Sequence, residues 1–269
     1  MEQFHYTTGS WKSSSLFSIR IIAGVFYALL WIGSLNSNPL KSQQLQLLAI
    51  HNKDSPYPYW LCLPENYKSD SIKYWPVILF LHGRSLSGTD LNLVTKYGLI
   101  AEIKKGRTFP AIIIAPQVRR GSSWNPDSVM ACLKTVKTNY NLDTNRIAIT
   151  GMSLGGYGTL HTAGKYPKVF CAAAAFCGGG KSQDGCNLST IPVWIAHGKK
   201  DEAVPFSESV EMANAIKRCN PENLLFTEFE SLNHGALERM FRTEELYQFL
   251  LGNTKKNATF FPVFKKRTL

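Results

Sequence analysis

Gly151-Met152-Ser153-Leu154-Gly155 follows the β-branched run Arg146 to Thr150 and opens a segment with the pattern of a helix. A serine flanked by glycines at such a strand-to-helix junction sits on a turn too tight for neighbouring side chains, so its hydroxyl is presented as a nucleophile. Capping the helix is the ordinary role of a serine here, but a cap has no need of glycine two residues away on both sides. A serine hydroxyl attacks only when a base takes its proton and a carboxylate orients that base. Downstream, His197-Gly198-Lys199-Lys200-Asp201-Glu202-Ala203-Val204-Pro205 and then Asn233-His234-Gly235 each follow an apolar run. Ser153, Asp201 and His234 are therefore the candidate nucleophile, acid and base.

The rival residues fit less well. His234 is the only histidine after Asp201. His161 lies eight residues beyond Ser153, about 12 Å along a helix axis. His82 and His197 precede glycines at strand ends and read as loop supports. Glu202 and Asp184 are the competing carboxylates, without the spacing of Asp201 from its preceding strand. No cysteine has zinc-type spacing, and catalysis by a serine, a histidine and a carboxylate calls for neither a metal nor an organic cofactor.

These residues must be positioned by elements that alternate. Strand-like runs are Tyr59 to Leu63, Val77 to Leu81, Ala111 to Ala115, Arg146 to Thr150, Val169 to Phe176, Ile191 to Ala196 and Leu224 to Phe229. Helical patterns are Asp90 to Lys104, Pro126 to Asn139, Leu154 to Lys165, Ser207 to Cys219 and Ala236 to Leu251. The alternation predicts an α/β fold, a mostly parallel central sheet with helices on both faces. Ligands bind such sheets outside the carboxyl ends of the strands. Ser153, Asp201, His234 and the loop His82-Gly83-Arg84 all fall there.

On those motifs the chain resembles the α/β-hydrolase superfamily, within it the secreted esterases that include phospholipase/carboxylesterase-like, feruloyl-esterase-like and "predicted peptidase" members. The resemblance runs from about Tyr59 to Leu251. It also rests on Leu81-His82-Gly83-Arg84, Ala115-Pro116-Gln117, Ser123-Trp124, Gly155-Gly156-Tyr157-Gly158 and Cys177-Gly178-Gly179-Gly180. It implies an oxyanion hole from the backbone N–H groups of Leu154 and Arg84. It further implies hydrolysis of a carboxylic ester through an acyl-enzyme. The same triad serves peptidases and acyltransferases, and a silent binding module could retain the fold. Gln117 and Trp124 are candidate substrate contacts, Trp124 being either an aromatic wall for a sugar or phenolic ring or a core residue. The stretch Cys177 to Thr190, where hydrolases of this fold often insert a lid, is short. An open cleft suits a small exposed ester or one on a polysaccharide.

Composition sets the remaining bounds. A chain of 269 residues, 44% hydrophobic, fits one catalytic domain, assigned to 45–252. Residues 1–37 read as a signal peptide or membrane anchor, because 21–35 carry no charge and follow Lys12 and Arg20. Export, periplasmic or secreted, is the expectation, with anchoring through 21–35 as the alternative. Of the net charge of +11, +5 lies in a basic tail, 253–269, through Lys255, Lys256, Lys265, Lys266 and Arg267. That distribution argues against nucleic acid as a partner. The tail reads as a solvated terminus or a contact for an anionic surface. Among six cysteines, Cys177 with Cys186 is the expected pair, the alternative being free buried thiols.

Overall fold

The computed structural model describes residues 46–51, 53–68 and 72–256. The apolar runs form one sheet of eight strands. They are β1 (Gln46–Ile50), β2 (Tyr59–Leu63), β3 (Trp75–Leu81), β4 (Ile112–Pro116), β5 (Leu142–Met152), β6 (Ala172–Phe176), β7 (Val193–Gly198) and β8 (Leu224–Phe229). Their spatial order is β1-β2-β4-β3-β5-β6-β7-β8. The first two are antiparallel to their neighbours, and the other six run parallel. Every residue of β3, β4, β6 and β7 is buried, as expected of parallel strands covered on both faces.

Period-two alternation divides these strands between two cores. Val77, Leu79, Ile112, Ile114, Ile149 and Ile195 face one side, packed with residues of α2 (Pro126–Asn139), α3 (Leu154–Lys165) and α5 (Phe206–Lys217). Ile78, Phe80, Ile113, Ala148, Ala174 and Trp194 face the other, against α1 (Leu99–Lys104) and α6 (Glu244–Gly252). The expected mostly parallel α/β sandwich is the observed one.

Three expectations change. The pattern read as one helix from Asp90 to Lys104 is a 3-10 segment, Leu91–Thr95, followed by α1. The break is Gly98, at φ +77, where a Cβ would come within 2.9 Å of Phe80 Cε1. The pattern from Ala236 to Leu251 likewise divides into a 3-10 segment, Gly235–Arg242, and α6, because Thr243 is extended at ψ 140°. Cys186 pairs with Cys219, not with Cys177. Cys186 lies on the short helix α4 (Gly185–Leu188), and a Cβ on Gly185 would be 2.7 Å from Ala215 of α5. This close approach brings the two cysteine Cα atoms to 5.2 Å, whereas Cys177 stays free and buried at the end of β6.

The expected signal segment, residues 1–37, and Lys265, Lys266 and Arg267 of the tail lie outside the described residues. No helix among the described residues is long and apolar enough to cross a membrane.

The first turn of α3 lies directly on the end of β3. A Cβ at Gly155 would overlap the Leu81 carbonyl, 2.6 Å from its carbon and 2.9 Å from the His82 oxygen. Backbone on both sides leaves nothing to yield. Gly155→Ala should therefore destabilise the fold by about 3 kcal/mol or more. Gly235→Ala, with open space around it, should shift the urea midpoint little. Equal midpoints for the two variants would contradict this packing.

Candidate active site

Ser153 occupies the turn between β5 and α3 at φ 59°, ψ −122°. It and Cys177 are the two non-glycine residues with positive φ among those described. Such a conformation costs on the order of 1–3 kcal/mol and persists only where the surroundings impose it. Here they do: a Cβ on Gly151 would lie 2.5 Å from both the Gly155 and Leu81 carbonyl oxygens. The Ser153 N–H donates to Phe176 O at 2.8 Å, fixing the turn to the end of β6.

Asp201 lies just beyond β7, its side chain wholly buried. Oδ1 accepts from the Ala203 and Val204 N–H groups at 2.9 and 2.8 Å. Oδ2 pairs with His234 Nδ1 at 2.7 Å. Burial pushes the carboxyl up, but the Val204 N–H, the His234 ring and the Ala203 N–H outweigh it and hold it below the usual range. A charged carboxylate fixes the tautomer with the proton on Nδ1, leaving His234 Nε2 to exchange protons. Two backbone bonds keep the partners together: Lys199 N–H to Phe229 O at 2.8 Å and Lys200 N–H to Leu232 O at 3.2 Å.

Gly83, after β3, abuts the nucleophile, since a Cβ there would be 3.5 Å from Ser153 Cβ. The next residue is Arg84. Neither its backbone N–H nor that of Leu154, the first residue of α3, has an acceptor among the described residues. His82 holds this loop. Its Nδ1 pairs with Gly83 O at 2.7 Å, and because a carbonyl only accepts, Nδ1 carries the proton. Nε2 then accepts from Val118 N–H at 3.2 Å. Burial lowers the ring's pKa to about 4.

Two expected substrate contacts belong to the scaffold instead. Trp124 is 5% exposed, its indole N–H donating to His82 O at 3.1 Å and its ring 4.9 Å from the His82 ring. It also packs on Gly158, whose missing Cβ makes room for it. Gln117 is 1% exposed, and its amide donates to Leu86 O at 2.9 Å and Asp90 O at 2.8 Å. Both support the loop beside the site and offer no surface to a substrate.

The structure also brings in residues that the sequence did not mark. Cys177 Sγ, an Asp201 oxygen and a His234 nitrogen all lie within 4.8 Å of one another, and the thiol contacts the Ser153 backbone. Tyr97 pairs with Ser85 at 2.9 Å and with the Gly83 backbone. Tyr157, one turn after Ser153, bonds Glu208 of α5. Tyr157 follows the nucleophile at i+4, which was a signal available in the sequence; Tyr97 had none.

The strand order, the glycine-flanked elbow and the order of the site residues are those of the α/β-hydrolase fold. The profile of the Phospholipase/Carboxylesterase family matches residues 127–251, somewhat under half of the chain. A thermostable esterase aligns at TM-score 0.67 and 26% identity, over 79% of this chain and 64% of its own; this chain thus spans under two thirds of that protein. The feruloyl esterase module from Clostridium thermocellum, complexed with sinapinate, shares the fold at TM-score 0.59 and 15% identity, over 77% of this chain and 89% of that one. The Pyrococcus horikoshii acylaminoacyl peptidase does so at TM-score 0.58 and 17% identity, over 84% of this chain and 44% of its own. No curated protein sequence matches.

The buried His82 makes folding sensitive to acid. Its folded pKa of about 4 lies below an unfolded value of about 6.5. The unfolded chain therefore binds the extra proton first, and stability is present above about pH 6.5 and lost as pH falls towards about 4. The loss should be on the order of 3 kcal/mol. Urea midpoints measured across that window should fall, and fall less steeply in His82→Gln. An unchanged slope in the variant would assign the acid sensitivity elsewhere.

Proposed function

We propose that the chain is a serine hydrolase that cleaves carboxylic esters through an acyl-enzyme. The observation that carries this reading is the buried Asp201–His234 pair at 2.7 Å on the same sheet edge as Ser153 in its strained turn. His234 Nε2 takes the Ser153 proton as Oγ attacks the ester carbonyl, and Asp201 stabilises the imidazolium that results. The Leu154 and Arg84 N–H groups, without acceptors of their own, receive the oxyanion. The imidazolium protonates the departing alkoxide, and water, activated by the same ring, releases the acid.

The substrate class is a short-acyl or aryl ester that is small and exposed, or carried on a polysaccharide. Support comes from the connection between β6 and β7. Its one α-helix, α4, packs onto α5 through Gly185 and is bound there by the Cys186–Cys219 bridge. It is thereby held against the scaffold. The fold shared with a feruloyl esterase module complexed with sinapinate is consistent with a phenolic acyl group. The same disulfide favours an exported protein, since such bridges persist in oxidising compartments.

Ser153→Ala should abolish turnover of aryl esters while leaving the unfolding midpoint near that of the wild type. Asp201→Asn should lower kcat by about 10⁴-fold, and Glu202→Gln, exposed beside it, should change it little. The reverse ranking would move the acid by one residue. On a panel of feruloyl, acetyl-sugar and triglyceride esters, the first two should be preferred. A rate on emulsified long-chain triglyceride that jumps above its solubility limit would overturn the substrate assignment.

A further inference from the structure

His197 is wholly buried at the end of β7 and touches the acid of the site directly. Its Nε2 lies 3.1 Å from Asp201 Oδ2 and 3.1 Å from the Val204 carbonyl. The carbonyl can only accept, so Nε2 carries a proton and shares it between both oxygens. Nδ1 pairs with Ser209 Oγ at 2.8 Å, and that hydroxyl reaches Gly178 O at 2.6 Å. The ring is thus tied to β7, to α5 and to the glycine run after β6.

Oδ2, the oxygen paired with His234, therefore has two imidazoles against it. We infer that His197 is a positioning residue for the reaction: it holds Asp201 Oδ2 in the plane of the His234 ring and draws off part of the charge that His234 would otherwise feel. The inference rests on the proposed triad.

Two consequences follow. Without His197, two backbone N–H groups still hold Oδ1, but Oδ2 is fixed only by the ring it should orient. Misplacement of the base by about 1 Å costs on the order of a hundredfold in rate. Oδ2 also becomes a stronger acceptor for the charged base, so the acid limb of the rate profile moves to higher pH. The other titratable groups facing Asp201 are Cys177 from the end of β6 and Tyr157 from α3, which is itself bonded to Glu208 of α5. They are unchanged by substitution at 197, so a shift can be assigned to His197 itself.

The experiment uses the full chain with His197→Leu and His197→Gln, the amide nitrogen of glutamine reaching towards the place of Nε2. Active sites are counted by fluorophosphonate labelling, so that kcat refers to folded, competent enzyme. Expected for His197→Leu is a kcat per labelled site lowered about a hundredfold, KM changed little, and the acid limb of the kcat/KM profile moved to higher pH. His197→Gln should recover most of both. A leucine variant with fewer labelled sites but wild-type kcat per site and an unmoved acid limb would reduce His197 to a support of the fold and overturn the inference. So would a glutamine variant as slow as leucine with the limb unmoved. Absence of labelling in the wild type would instead remove the triad on which the inference rests.

Discussion

The site depends on one buried carboxylate being kept charged. Asp201 has no exposed side-chain surface, and an isolated carboxylate there would take up a proton. It stays ionised because two backbone N–H groups and two imidazoles surround its oxygens. The backbone donors come from the turn 201–204 itself, so folding the loop after β7 and charging the acid are one event. With a neutral acid, His234 would lose its orienting bond, and its imidazolium would lose the charge that stabilises it.

The sheet accounts for the convergence. Parallel strands deliver all their carboxyl ends to one edge, and the register of β3, β5, β6 and β7 aligns Leu81 with Gly151, Met152 with Phe176, and Phe176 with Ala196. The strained turn of Ser153 is then fixed from three directions: by the Leu81 carbonyl below Gly151 and Gly155, by Phe176 O accepting its N–H, and by Gly83 beside its Cβ. Strain at the nucleophile is sustained by packing against the ends of the most buried strands of the molecule.

The sequence disclosed most where chemistry dictates residue type. Ser153, Asp201 and His234 could be read because a serine elbow demands glycine at fixed positions and the acid and base follow in a set order. The central strands were legible because burial on both faces leaves continuous apolar runs. Less could be read where geometry outside the local pattern decides. The edge strand β1 is five residues with a single β-branched side chain, Ile50, and its pairing with β2 is a tertiary fact. Gly98 breaks a helical pattern through a positive φ and the Phe80 ring. The partner of Cys186 was set by the approach of α4 to α5. A strand-end histidine before glycine looks the same whether it props a loop, as His82 does, or touches the acid, as His197 does. Trp124 and Gln117 show the converse, since residues at a strand's carboxyl end can hold up the site without meeting its ligand.

The central claim is that Ser153 becomes covalently acylated. Intact-protein mass spectrometry after rapid acid quench of a reaction with an aryl acetate, followed by peptide mapping, tests it directly. The account predicts a single acetyl group on the peptide containing Ser153, formed faster than it is lost and absent from enzyme in which Asp201 is replaced by asparagine. An acetyl group on another residue, Cys177 included, or turnover of the ester with no covalent species formed at any quench time, would contradict it.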